Sequence, residues 1–284
     1  MTTLSQDIKE KLSRLHILEK IIVANTMVFV AGIFLNLIGF NLLEWFSLPY
    51  VLSDFFGRPW SIVSYGFLHK SISHLFFNML VLYFIAQTFS NLFSARLSLK
   101  IYLLGVIYGG LAFIIVAFLL PNALQINGPL VGASAGVRAC IIFLCVYLPN
   151  KSISFFTLRF SLKYLGIAMV VLDLPGLLSV NSGGTVAHIG GYLSGYFYAK
   201  QFHNGKDFGD FLDGILNYFK SNRGLKTVYK KKKTSTMAGQ KKKEFDSFTH
   251  QKQIDLILDK ISKSGYESLT QAEKDFLFRA GKNK

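Results

Sequence analysis

The sequence predicts an all-α, polytopic membrane protein with six transmembrane helices and a cytoplasmic tail. Of its 284 residues, 51% are hydrophobic and 15% are aromatic, and the mean hydropathy is +0.38. A soluble domain of this length is rarely so apolar. Charged residues are sparse from about residue 20 to residue 202 and dense beyond it. This contrast indicates a membrane domain, expected at 17–202, that is followed by soluble chain.

Six apolar segments reach the length of about 20 residues that a helix needs to cross the hydrocarbon core. They lie at about 21–43, 71–94, 100–120, 130–149, 160–180 and 184–202. The first has 23 residues without a formal charge and no clear cleavage site after it. We therefore interpret it as a retained span rather than a signal peptide. The long connection at 44–70 is rich in aromatic residues and is expected to lie in the membrane interface.

The distribution of basic residues predicts the orientation of these spans. Lys and Arg concentrate in the amino-terminal segment 1–16 and in the turns after the second and fourth spans, whereas the loop 121–129 has no charge. Basic loops stay on the cytoplasmic side, so both termini are expected to be cytoplasmic. An even number of spans is consistent with this orientation.

Four polar residues in three spans are predicted to lie in one layer near the outer face. Ser134 stands among small residues in the fourth span, His188 in the sixth, and His74 with Asn78 in the second. A serine needs a base to become a nucleophile, and histidine is the usual base. His74 and Asn78 share a helix face and are candidate donors to a developing oxyanion. No carboxylate lies near His188 in sequence, so we predict a Ser134–His188 pair.

Other interpretations of these residues remain open at this point. A lone membrane serine is usually a packing residue, and His69, at the mouth of the second span, is expected to be structural. A metal site would use His69, His74 and His188, but no cluster of carboxylates or thiolates completes it, so no metal and no cofactor are expected. A solute transporter would carry internal repeats, and we find none. Gly191 and Gly195 form a small-x-x-x-small pair that favours packing of the sixth span on the fourth.

The chain resembles the rhomboid family of intramembrane serine proteases over about residues 15–202. The resemblance is carried by four stretches in order: Trp60 with Phe67-Leu68-His69, His74 to Asn78, Gly132 to Gly136, and Ala187 to Gly195. It implies a six-helix core in a bacterial inner membrane that cleaves transmembrane protein substrates. It implies that Ser134 is the nucleophile, that His188 is the base, and that His74, Asn78 and the backbone at Gly132 bind the oxyanion. The alternative is a catalytically silent relative that binds transmembrane segments.

Two positions depart from the family pattern. Many bacterial relatives carry a tyrosine four residues after the serine, stacked on the histidine, where this chain has Arg138. The first-loop tryptophan is often followed by arginine, where this chain has Ser61. A guanidinium can also stack on a flat ring, but a charge within a span needs a partner or water. Asp173 is the single acidic residue within the predicted spans, so we predict that it approaches Arg138 near the site. Arg138, Asp173 and His69 are therefore candidates for tuning the site.

The last part of the chain has a different composition. Residues from 200 onward hold 19 of the 31 basic residues. The stretch 203–248 is predicted to be a basic, flexible linker that is drawn to anionic lipid by about 1 kcal/mol per basic residue near the surface. Nucleic acid would compete for such a segment but is not expected as a partner of a tethered tail.

Residues 249–284 are predicted to form a small helical hairpin. Ile254, Ile257, Leu258 and Ile261 mark one apolar face, and Gly265 is placed to end the first helix. Thr270-Gln-Ala-Glu273 is a capping box for a second helix. The segment resembles the tails of rhomboid-like proteins of the Bacteroidetes type, and it suggests no function.

Overall fold

The computed structural model describes residues 3–120, 126–155, 158–219 and 254–282, and most of them are helical. The chain divides into two compact units, Met1–Ser221 and Asn222–Lys284. The helices of the first unit, in order, are α1 (Leu4–Arg14), α2 (Ile17–Leu37), α3 (Leu42–Phe46), α4 (Leu52–Gly57), α5 (Ser61–Ser64), α6 (Ile72–Leu92), α7 (Ala95–Leu119), α8 (Ser134–Tyr147), α9 (Leu162–Asp173), α10 (Ser182–His203) and α11 (Phe211–Phe219).

Three of these helices are long and apolar enough to cross a membrane, namely α2, α6 and α7. They correspond to the first three predicted spans, but two of them begin earlier than predicted. His16 caps α2 in a capping box with Glu19, and Ser94 caps α7 by accepting from the Leu97 N–H. Both caps lie before the apolar run starts, so the helix takes in polar residues that hydropathy alone assigns to the loop.

The fourth predicted span begins later than expected, because α8 starts at Ser134 itself. Residues before it are not helical: Leu130 pairs with Leu48 in an isolated antiparallel bridge, and Gly132 has a φ of +127°. That backbone conformation strongly favours glycine and is incompatible with continuing a right-handed helix. Ser134 therefore occupies the first position of α8, whereas the sequence predicts a span that begins at about residue 130.

The fifth predicted span is also shorter than expected. Strands β1 (Ser152–Phe155) and β2 (Leu158–Ser161) form an antiparallel hairpin that the sequence analysis did not predict. The helix α9 then runs for 12 residues and ends at Asp173, where a 3₁₀ turn (Leu174–Leu178) follows. Pro175 lies in that turn, and its missing N–H prevents the α-helical hydrogen bond there.

Glycines bring α10 into backbone contact with α8, as the Gly191-x-x-x-Gly195 pair predicted. A Cβ on Gly191 would lie 2.3 Å from the Ala135 carbonyl oxygen, and one on Gly195 would lie 2.3 Å from the Ala139 carbonyl oxygen. On α7, Gly109 makes an equally close approach to Ala135. The helices that carry Ser134 and His188 are therefore held together by contacts that only glycine permits.

At the other end of α7, Lys100 is the centre of an ionic cluster. Its side chain is 2% exposed, and the ammonium nitrogen lies 2.7 Å from Asp207 Oδ2, 3.1 Å from Asp210 Oδ1 and 2.8 Å from Asp213 Oδ2. The hydroxyl of Tyr198, on α10, donates to Asp207 as well. The segment after α10 is thereby fixed against α7, within the stretch that we predicted to begin a flexible linker at residue 203. Residues 220–248 of that linker lie outside the described part of the chain, as do residues 249–253 of the predicted hairpin.

Among its described residues, the second unit contains two α-helices, at 254–264 (α12) and Gln271–Lys282 (α13). Gly265, with a φ of +76°, follows α12 at once, so its predicted role as a stop is confirmed. The capping box is confirmed too, since Thr270 N–H donates to Glu273 Oε2 at 2.7 Å and Glu273 N–H donates to Thr270 Oγ1 at 3.4 Å. Ile257 is buried, but Leu258 is half exposed, so the predicted apolar face is wrong at that residue.

Candidate active site

Ser134 and His188 are in direct contact. The Ser134 Oγ lies 2.9 Å from His188 Nε2, although 54 residues separate them. Ser134 opens α8, and His188 lies within the second turn of α10, at the level of the close glycine contacts. Both side chains are largely buried. A hydroxyl at this distance from an imidazole nitrogen can pass its proton to the ring.

Gly132 leaves a space that His74 and Ser134 both border. The point where a Gly132 Cβ would stand is 2.8 Å from His74 Nε2 and 3.7 Å from Ser134 Oγ. The Gly132 N–H itself donates to the Tyr65 carbonyl at 3.0 Å, so this N–H is already used. Gly132 therefore contributes room beside the serine rather than the backbone donor that the sequence analysis assigned to it.

Two further predicted site residues, Asn78 and His69, both contact His74. Asn78 Nδ2 donates to the His74 carbonyl at 2.9 Å, which leaves its second amide hydrogen available. His69 packs edge-on against His74 with ring centroids 4.9 Å apart. His69 is 5% exposed, and neither of its ring nitrogens has a hydrogen-bond partner among the described residues. Its expected structural role is thus one of packing, not of donation.

Arg138 and Asp173 form a bidentate ion pair, which confirms the predicted approach of the two side chains. Arg138 Nε lies 2.6 Å from Asp173 Oδ2 and Arg138 Nη2 lies 3.1 Å from Oδ1. The Tyr192 hydroxyl donates to Oδ2 at 2.6 Å, and the guanidinium lies 6.0 Å from the centre of the Tyr192 ring. The aromatic ring beside the Arg138 guanidinium is therefore that of Tyr192.

The structure also corrects the prediction that His188 has no carboxylate beside it. Asp173 Oδ2 lies 3.0 Å from His188 Nδ1. The pair is at ion-pair distance, but the nitrogen is not aligned well enough on the oxygen to satisfy hydrogen-bond geometry. The sequence did not predict this contact, because Asp173 lies on α9 and His188 on α10, and only the packing of the two helices brings the side chains together. Its signal in the sequence was its position as the single acidic residue in an apolar span.

Residues 57–204, which are more than half of the chain, match the rhomboid domain family. The chain belongs to the rhomboid family. Two relatives are similar to the chain: the mitochondrial presenilin-associated rhomboid-like protein A of Danio rerio is 29% identical over 137 residues, and the rhomboid protease GluP of Bacillus subtilis is 26% identical over 144 residues. The aligned stretches cover 47% and 50% of this chain but only 35% and 26% of those relatives.

The carboxyl-terminal hairpin belongs to a separate match. Residues 239–282 match a family of unknown function, DUF6576. The rhomboid match ends at residue 204, so the two matches do not overlap. They lie in different parts of the chain, the first within the unit that ends at Ser221 and the second within the unit that begins at Asn222.

The rhomboid first loop is anchored by Arg58 instead of an arginine after the tryptophan. The Arg58 guanidinium donates to the Glu44 carbonyl, and the Trp60 indole donates to the Trp45 carbonyl at 3.1 Å. Ser61, at the position of the departure, is buried and donates to the Arg58 carbonyl at 2.6 Å. The side chains of Arg58 and Trp60 thus connect this loop to α3.

Sequence reasoning missed Tyr192 altogether. It stands four residues after His188, on the same face of α10, and its hydroxyl contacts both Asp173 and Arg138. That spacing was the available signal. Aromatic residues are frequent in this chain, so a single tyrosine in an apolar helix did not stand out.

Proposed function

We propose that the protein is an intramembrane serine endopeptidase that cleaves transmembrane protein substrates. The observation that carries this proposal is the 2.9 Å contact between Ser134 Oγ and His188 Nε2 in a chain of the rhomboid family. A serine with only a packing role does not require a histidine from a different helix within hydrogen-bond distance of its hydroxyl. The name of the Bacillus subtilis relative, a rhomboid protease, supports the same activity.

In the proposed reaction, His188 Nε2 takes the proton of Ser134 as its Oγ attacks the scissile carbonyl carbon. The imidazolium then returns that proton to the leaving amine, and an acyl-enzyme on Ser134 remains. A water, deprotonated by the same nitrogen, attacks the acyl carbon and frees Ser134. The two hydrolysis products are a new carboxylate and a new amine.

The tetrahedral intermediate needs hydrogen-bond donors for its oxyanion. We assign this role to the His74 ring and to the free amide hydrogen of Asn78, on the space that Gly132 leaves open. The unpaired N–H groups at the start of α8 add a partial positive charge at Ser134. A cavity of about 240 Å³ adjoins His74 and is lined also by Lys70, Asn127 and Asn181. In the proposed reaction, water reaches the site from this cavity.

The proposed setting is a bacterial inner membrane with six spans and both termini in the cytoplasm. The three long apolar helices support a multi-pass protein. The basic stretch after the rhomboid domain would then face the anionic cytoplasmic leaflet, so we include anionic lipid as a partner of the tail. No nucleic acid is needed in this account, and no metal or cofactor takes part in it.

The test is cleavage of a model transmembrane substrate in proteoliposomes. We expect the wild-type chain to cleave it, and Ser134→Ala and His188→Ala each to reduce cleavage to background. Ser194→Ala is the matched control, since Ser194 lies on α10 and is buried like the site residues. Equal activity of the wild type and Ser134→Ala would refute the proposal. Binding of the substrate without any cleavage by the wild type would favour the catalytically silent alternative.

A further inference from the structure

His188 stands between a hydroxyl and a carboxylate. Its Nε2 lies 2.9 Å from Ser134 Oγ, and its Nδ1 lies 3.0 Å from Asp173 Oδ2. The order serine, histidine, carboxylate is the one in which soluble serine hydrolases hold the imidazole in the required tautomer, with the proton on Nδ1. Catalytic hydrogen bonds are often poorly aligned without substrate and tighten in the complex, so the imperfect alignment at Nδ1 does not argue against this role.

The carboxylate is itself held in place from the two helices that carry the reacting pair. Arg138 lies four residues after Ser134 on α8, and Tyr192 lies four residues after His188 on α10. Four residues are about one helical turn, so both partners stand one turn from the reacting pair on the same faces. Asp173 Oδ2 receives Arg138 Nε and the Tyr192 hydroxyl, each at 2.6 Å. The carboxylate thus joins α8, α9 and α10 directly below the site.

We propose that Asp173 is a positioning residue for His188, and that Arg138 is its counter-ion. This inference rests on the proposed function. An unpaired carboxylate in a membrane domain is costly, and the bidentate guanidinium compensates the charge. Since that pairing offsets much of the negative charge, Asp173 acts mainly by orienting the ring and keeping the proton on Nδ1. Arg138, the residue that departs from the family pattern, thereby has a role through Asp173.

The helix α10 contributes to a second cluster of a tyrosine, a carboxylate and a cation, and this cluster contains no histidine. Tyr198, on α10, donates to Asp207, and Asp207 accepts from Lys100 at 2.7 Å. This cluster contains the same kinds of side chain and also joins α10 to a neighbouring helix. Asp207→Asn is therefore a matched control for Asp173→Asn: both remove a carboxylate charge from such a cluster, but only one of them lies beside the catalytic base.

The experiment measures kcat and KM on a transmembrane substrate in proteoliposomes. The number of active sites is determined by labelling the serine to completion with a fluorophosphonate, and kcat is expressed per labelled site. Asp173→Asn is expected to lower kcat at least about tenfold, and less than the roughly 10⁴-fold seen in soluble triads because Arg138 already offsets the charge. KM should change less than about threefold, because substrate binding is not altered. Asp207→Asn should lower the thermal midpoint but keep kcat per site. Wild-type kcat per site in Asp173→Asn, or an equal loss in Asp207→Asn, would overturn the inference.

A second measurement does not depend on activity. ¹⁵N-histidine NMR of the full chain in micelles, with His188→Gln to assign the signal, reports which ring nitrogen carries the proton. We expect Nδ1 to carry it in the wild type and in Ser134→Ala, and we expect Asp173→Asn to change that population. A wild-type His188 with its proton on Nε2 overturns the inference whatever the activity. Absence of serine-dependent cleavage, with the Nδ1 tautomer intact, would reject the proposed function and leave the role of Asp173 standing.

Discussion

Replacing Gly191 with alanine is expected to separate Ser134 from His188 without changing either side chain. The new Cβ would lie 2.3 Å from the Ala135 carbonyl oxygen and 3.0 Å from its carbonyl carbon, whereas ordinary contacts begin at 3.4 Å. Neither partner can rotate away, because one is a Cβ and the other is backbone. The helices α8 and α10 must therefore move apart by about 1 Å, since a close-packed interior has no void to take up the overlap.

The expected loss of activity depends on where the added methyl group lies. Gly191 is three residues after His188, and Ala135 directly follows Ser134, so the shift is imposed at the reacting pair. An Oγ–Nε2 distance of 2.9 Å would exceed the hydrogen-bond range after a shift of that size. A misplacement of about 1 Å can cost roughly 10²-fold in rate. Overpacking of this kind also lowers the free energy of unfolding by about 1–3 kcal/mol.

The assay compares kcat/KM on a transmembrane substrate with the thermal midpoint in the same detergent. Gly195→Ala is the graded control, because its Cβ would lie at the same distance of 2.3 Å from the Ala139 carbonyl oxygen, one turn further from His188. It should destabilise the protein equally and reduce the rate less. Gly214→Ala, on α11, meets nothing within 4 Å and should preserve both quantities. Full activity of Gly191→Ala, or a larger rate loss in Gly195→Ala, would refute the reasoning.

Three further predictions concern the ionic clusters. Lys100→Met should lower the free energy of unfolding by about 3 kcal/mol in a denaturant titration. This value is the low end for breaking a buried ion pair, because the carboxylates are partly exposed. Unchanged stability would contradict this prediction. Burial alone would raise the pKa of Asp207, but hydrogen bonds from Lys100, Tyr198 and the Gly209 N–H outweigh it and hold the pKa below its ordinary 3.8. The stability that this carboxylate contributes is thus fully present above pH 3.8 and is lost as the pH falls through the lowered pKa. Asp207→Asn should therefore weaken the loss of stability at acid pH, and an unchanged acid dependence of the free energy of unfolding would contradict this. Hydrogen bonds from Lys260 and Thr270 lower the pKa of Glu273 to about 2. Glu273→Ala removes the acceptor of the Thr270 N–H, so it should speed amide hydrogen exchange in the first turn of α13 at neutral pH, whereas equal exchange would count against the capping box.

The sequence was most informative where the chemistry is local. The apolar runs predicted α2, α6 and α7 because about 20 consecutive apolar residues satisfy both the membrane and the helix. Thr270 and Glu273 predicted a capping box because three residues of spacing are enough to make one. The short α8 and α9 were harder, since Gly132 and the β-hairpin end apolar stretches that hydropathy extends without a break.

The same distinction between local and tertiary information applies to the candidate active site. The sequence by itself indicated the rhomboid family, through four stretches that resemble it, and the candidates Ser134, His188, His74 and Asn78, through residue type and position within the predicted spans. Only the tertiary structure decided that Asp173 lies beside His188, that Tyr192 joins it, and that the Gly132 N–H is already used. Those contacts join helices far apart in sequence, and their distances depend on how closely glycine backbones let α7, α8 and α10 approach. No local pattern encodes that approach, because it is a sum of packing contacts over three helices.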